Sequence, residues 1–181
     1  KSFIIKLFPV ILVMLILVIS GIIVYPRFFK PDTLEKLRLS GGKITVAVMP
    51  FRNMTNDTLW DVWQEGIQTN LITSLSNTEE LKVRQIETIN GYLKSNGLTN
   101  FSSITPSVAR NISKKLHSEV SIYGNINKAG TVIRINAQLI NSKTVDILKS
   151  FQIDGAPEMI LDMIDSLSVA IRNTLIINEL E

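Results

Sequence analysis

Hydrophobic and polar positions divide this chain into one unbroken apolar run followed by a long segment of alternating and helical patterns. The run is Leu7–Tyr25, LFPVILVMLILVISGIIVY, with Lys6 before it and Arg27 after it. As a helix rising about 1.5 Å per residue it would reach roughly 28 Å, close to a hydrocarbon core of about 30 Å. Pro9 falls in the first turn, where a missing N–H is tolerated, and Tyr25 and Phe28 sit where aromatic rings favour headgroups. A signal peptide has a shorter apolar run and a small-x-small cleavage site. A buried core helix would have a polar face. The pattern therefore predicts a transmembrane anchor over residues 1–28, in contact with membrane lipid through Leu7–Tyr25. Pro26, Pro31 and Gly41-Gly42 then punctuate a juxtamembrane linker over 29–42 with a helical turn near Asp32–Leu39.

From residue 43 to 181 the pattern is that of one folded domain. Ile44, Val46 and Val48 alternate as a strand closed by Pro50. Trp60, Trp63, Ile67, Leu71 and Leu75 recur at helical spacing, predicting a helix over about 59–76. Leu81–Ile86 alternates again, a short helix spans about Ile89–Ser95, and Thr105-Pro106 opens another whose buried face is Val108, Ile112 and Leu116. Three strands follow, Val120–Asn127, Val132–Ile140 and Val145–Ile153, joined by short connections that make them antiparallel neighbours. The clearest sets Ile133, Ile135, Ala137 and Leu139 against Arg134, Asn136 and Gln138. A final helix after Pro157 buries Met159, Ile160, Met163, Ile164, Leu167, Ile171 and Leu175. The order β-α-β-α-β-β-β-α gives an α/β (α+β-like) domain with a mixed sheet covered by helices, its first two strands parallel.

Composition narrows the chemistry. The 181 residues contain 19 Lys and Arg, 16 Asp and Glu and one His, for a net charge of +3. Much of the excess lies beside the apolar run, at Lys1, Lys6, Arg27, Lys30, Lys36, Arg38 and Lys43. Headgroup attraction explains that placement, and no nucleic-acid partner is expected of this segment. There is no cysteine, which removes disulfides, thiolate nucleophiles and Cys-based zinc sites. The single histidine, His117, closes a predicted helix, where a cation complements the helix dipole; a triad or a two-histidine metal site needs more. Glu79-Glu80 sit on a turn, and Asp162 and Asp165 on a polar helix face. No phosphate-binding glycine motif is present. No catalytic residue, metal site or cofactor is expected, and the chain reads as non-enzymatic.

The most specific polar set follows the first strand: Phe51, Arg52, Asn53, Thr55 and Asp57. In α/β sheets the carboxyl ends of parallel strands are where ligands bind, so these five are the candidate binding residues. The plainer reading is that Asn53, Thr55 and Asp57 build turns and cap the helix. An opening at Lys1 rather than Met is what a segment of a longer chain would show.

Val46-Ala47-Val48-Met49-Pro50-Phe51-x-Asn53-x-Thr55-x-Asp57 resembles the opening VAVLPF-x-N-x-S-x-D of the TolB amino-terminal-like domain. Gly66–Ser76 is similar to that family's following helix. Leu81-Lys82-Val83-Arg84 approximates its second strand with the arginine one place early, and Tyr123-Gly124 through Arg134-Ile135-Asn136-Ala137-Gln138-Leu139-Ile140 resembles its later signature. Asn141-Ser142-Lys143 departs from it where an acidic residue and a turn glycine are usual. The resemblance covers about Ile44 to Phe151. It implies a domain of bacterial signalling proteins, following a membrane helix and accompanied by tetratricopeptide repeats or by winged-helix, cyclase or kinase modules. The expected function is protein–protein interaction or oligomerisation in signalling across the membrane, with a protein partner or self-association. The alternative is an extracytoplasmic sensor that holds a small ligand in the 51–57 loop. Flanking charge alone favours a cytoplasmic domain; the resemblance favours a single-pass protein of the bacterial inner membrane with a periplasmic domain, and that is the expectation taken.

Overall fold

The computed structural model describes residues 42–144 and 146–176, together with Leu34 and Leu37. The expected anchor, Leu7–Tyr25, and nearly all of the linker lie outside the described residues. The single-pass, inner-membrane localisation is nevertheless corrected, because among the described residues no helix is long and apolar enough to cross a membrane. The longest described helix carries Asp162, Asp165 and Arg172 along its length, and such a polar face suits a domain surface rather than lipid.

Six strands form one mixed sheet: β1 (Ile44–Val48), β2 (Arg52–Asn53), β3 (Leu81–Val83), β4 (Val120–Ala129), β5 (Val132–Asn141) and β6 (Ile147–Gly155). Their order is β3-β1-β4-β5-β6, with β2 beside β4. β1 pairs in parallel with β3 (Val46 opposite Val83) and with β4 (Val46 opposite Val120). β4, β5 and β6 form an antiparallel meander, with an irregular register at Leu139/Ile140. The helical crossover between β1 and β3 and the short hairpins thus give the parallel and antiparallel halves that the sequence pattern predicts.

Among the described residues four complete helices cover the sheet: α1 (Val62–Ser76), α2 (Ile86–Ser95), α3 (Pro106–Lys115) and α4 (Ile160–Ile176). Strand pleating sorts the apolar side chains into two cores. Val46, Val48, Ile122, Ile126, Ile133, Ile135 and Leu139 meet Ile67, Leu71 and Leu75 of α1 and Met163, Ile164, Leu167 and Ile171 of α4. On the opposite face Ala47, Met49, Tyr123 and Ile140 meet Ile89 and Leu93 of α2 and Ala109 and Ile112 of α3. β5 and β6 keep a polar outer face there, with Arg134, Asn136, Gln152 and Asp154 exposed or half-buried.

Local departures from the sequence pattern have identifiable causes. The helix expected from Leu59 begins at Val62, because Asp57 caps a 3-10 turn over Thr58–Trp60 first. The strand expected over Leu81–Ile86 ends at Val83, and Ile86 opens α2. Met159 is half exposed in a 3-10 turn before α4. The α3 start is as expected, with Thr105 capping Val108 N and Pro106 at the first position.

Candidate functional site

The loop after β1 is built outward from a buried ring. Phe51 is fully buried in the α1/α4 core, and its N–H donates to Gln64 O at 3.0 Å. Opposite it stands Gly124 of β4, where any Cβ would overlap the Phe51 ring and the Asn136 carbonyl oxygen. The glycine is therefore required by close approach, not by its backbone angles. Arg52 and Asn53 continue past Pro50 as β2 along Asn125 and Ile126, and Met54 N donates to Ile126 O at 2.8 Å.

Asn53 organises the rest. Its Oδ1 accepts from Thr55 N at 2.9 Å and Thr55 Oγ1 at 2.7 Å, and its Nδ2 donates to Asp57 O at 2.9 Å and Asp61 Oδ1 at 2.7 Å. Asp57 caps Leu59 N with Oδ1 at 3.0 Å, and its Oδ2 meets Lys128 Nζ of the β4–β5 hairpin at 3.4 Å. Asn56 turns the chain with φ of 59°, a left-handed conformation that Asn tolerates. The side chains of Asn53, Thr55 and Asp57 are thus spent on one another and on helix entry. Arg52 points elsewhere: Nη1 donates to Tyr123 OH at 2.9 Å and Nη2 to Met54 Sδ at 3.2 Å. Its Nε is buried with no hydrogen-bond partner among the described residues. The structure therefore joins Asn53, Thr55 and Asp57 into one network and separates Phe51 and Arg52 from it.

Several partners have no signal in local sequence. Lys128 reaches Asp57 only through the hairpin register. Gln68, on an otherwise apolar stripe of α1, is fully buried and donates to Val48 O at 2.8 Å and to Asn90 Oδ1 at 3.2 Å. Asn90 in turn donates to Glu65 Oε1 at 2.9 Å, tying α2 to α1. Helical spacing flags Gln68 as a polar residue among core positions, which is the one hint available.

On the open face of the meander Arg134 and Asp154 form an exposed two-pronged pair, Nε to Oδ1 and Nη2 to Oδ2, each at 2.7 Å. The hydrogen bond from Arg134 holds the Asp154 carboxyl below its ordinary range, and the same bond raises Arg134. Among the described residues no three His, Asp or Glu side chains gather as metal ligands would. His117 follows α3 at φ of 51°, and its carbonyl accepts from Arg84 Nη2 at 2.9 Å.

The described surface does hold a concavity, an open groove of about 820 Å³ between α2 and α3. Tyr92, Leu98, Val108 and Ile112 give it an apolar lining, and Lys114 and Lys115 add positive charge. No carboxylate lines it. Charge is segregated on a larger scale too. Between residues 84 and 118, Arg84, Lys94, Arg110, Lys114 and Lys115 face only Glu87. In and around α1 and α4, Asp61, Glu65, Glu158, Asp162 and Asp165 stand against Arg172, while Asp57 is paired with Lys128. The two helical layers, on opposite faces of the sheet, thus carry opposite charge.

No family model matches the chain. Over 134 residues it is 30% identical to the protein named “Putative adenylate cyclase 3” of Rhizobium meliloti (strain 1021), covering 74% of this chain and 21% of that one. The chain therefore spans about a fifth of the length of this curated relative. Among solved structures, the lipoprotein GNA1162 of Neisseria meningitidis aligns at a TM-score of 0.53, with 18% identity over 72% of this chain and 98% of that chain. The LpoB C-terminal domain of Salmonella enterica aligns at 0.50, with 17% identity over 68% and 95%. TolB of Acinetobacter baumannii aligns at 0.49, with 13% identity over 74% and 28%. The GNA1162 and LpoB likenesses show a shared fold.

Proposed function

We propose that residues 43–176 form a non-catalytic protein-interaction domain of a bacterial signalling protein. The observation that carries this reading is the division of labour among polar side chains. Asn53, Thr55 and Asp57, the most specific polar set in the sequence, are occupied with loop and helix entry. The free charge and the apolar groove are presented outward on helical layers, as a contact surface requires. The signalling context draws on the TolB amino-terminal-like motifs and on the relative named as a cyclase, of which this chain matches a minor part.

A ligand-sensing reading keeps one supporting observation, the buried, unpartnered Arg52 Nε beside Tyr123. Thermal unfolding of the full chain against nucleotides, sugars, amino acids and fatty acids separates the two. A ligand bound only by the folded state stabilises it by about 2.7 kcal/mol at a hundredfold excess over Kd, and so raises the midpoint with concentration. The interaction reading expects no saturable rise with any of these compounds. A saturable rise that disappears in Arg52→Ala would overturn it in favour of the sensor.

A further inference from the structure

We infer that the occupant of the α2/α3 groove is the α4 face of a second copy of this chain. This rests on the protein-interaction reading and names its partner. The groove joins an apolar lining to the positive charge of Lys114 and Lys115. A surface that fills it must offer apolar side chains beside carboxylates on one convex stripe. The outward face of α4 does so. Leu161 and Val169 stand 57% and 44% exposed, and Asp162 and Asp165 lie between them on adjoining helical positions. Neither carboxylate is engaged in an ion pair among the described residues.

The two surfaces lie on opposite sides of the sheet, since α4 packs on one core and α2 and α3 on the other. One copy would therefore use its α4 face and its neighbour its groove. Such an interface is heterologous, and each added copy leaves a fresh groove and a fresh stripe at the two ends. The assembly grows head to tail, as a ring if the rotation closes and as an open array if it does not. Buried apolar anchors supply contact energy, while the opposed charges set orientation and make association sensitive to salt.

Sedimentation velocity of the full chain, in a buffer with non-ionic detergent against non-specific aggregation, tests this. The sedimentation coefficient should rise with concentration and fall back as salt is added. Lys114→Gln/Lys115→Gln removes the socket charge and Asp162→Asn/Asp165→Asn the plug charge. All four side chains are exposed, so both variants keep the fold, and each should weaken association roughly tenfold or more. An equimolar mixture of the two should give a one-to-one pair and nothing larger, because only one competent plug and one competent socket remain. A chain that stays monomeric throughout, or variants that assemble like the parent, would overturn the inference. Monomers that still crosslink to a different protein in cells would also end it, leaving the interaction reading intact.

Discussion

At the scale of single residues, the contact between Phe51 and Gly124 sets the limit on what the domain tolerates. A Cβ at Gly124 has nowhere to go, because one neighbour is a fully buried ring and the other is backbone of β5. Gly124→Ala should destabilise the domain by about 1–3 kcal/mol, the usual cost of overpacking. Urea denaturation reads this directly, and Phe51→Leu in the same chain should recover part of the loss by yielding space. A Gly124→Ala domain as stable as the parent would remove the close approach from the account. Both residues stand in the motifs that resemble the TolB amino-terminal-like domain, yet nothing in the sequence says that they touch. Asn53 was legible in a different way. Its residue type announced a turn, but its four hydrogen bonds join Thr55, Asp57 and Asp61 into one network that spacing alone does not reveal.

Among the elements, those whose environment is uniform along their length were the most legible. β5 buries every second residue from Ile133 to Leu139, so its alternation reads directly as a strand with one core face. α3 announces itself through Thr105-Pro106. β2 was not legible, since two residues carry no periodicity and their pairing depends on β4, more than seventy residues later. The β3 boundary was overrun because Arg84, Gln85 and Ile86 continue an alternation that the start of α2 interrupts. The β5–β6 pairing also places Arg134 opposite Asp154, which gives a prediction in pH. The folded-state carboxyl of Asp154 titrates below its unfolded value of about 3.9. Its contribution is therefore present above that value and is lost as pH falls through the lower folded one. Asp154→Asn should lower the pH 7 midpoint only slightly, because exposed pairs contribute little, and should remove an equally small loss of stability as pH falls below about 4. An acid arm identical to the parent's would mean that the pair does not persist in solution.

For the molecule as a whole, the fold class follows from the order of elements: one mixed sheet, with α1 and α4 on one face and α2 and α3 on the other. The placement of opposite charge on those two layers was hidden in the sequence. The charge blocks themselves are contiguous, Arg84 to Lys115 basic and Asp61–Glu65 and Glu158–Asp165 acidic, but only folding sets the first on one face of the sheet and the other two together on the opposite face. The groove was equally hidden, because Tyr92 and Leu98 meet Val108 and Ile112 only when α2 and α3 pack. These outward features, rather than the loop after β1, carry the account of function. The most direct test is photocrosslinking in living bacteria, with a photoreactive amino acid in place of Asn111 in the groove or of Ser166 on the exposed side of α4 in the full chain. The account predicts discrete adducts from both positions, of a mass set by another protein chain, and none from Gly91 on the exposed outer side of α2. No adduct from either position, with the protein folded and present at native levels, would contradict the claim that this domain works by binding protein.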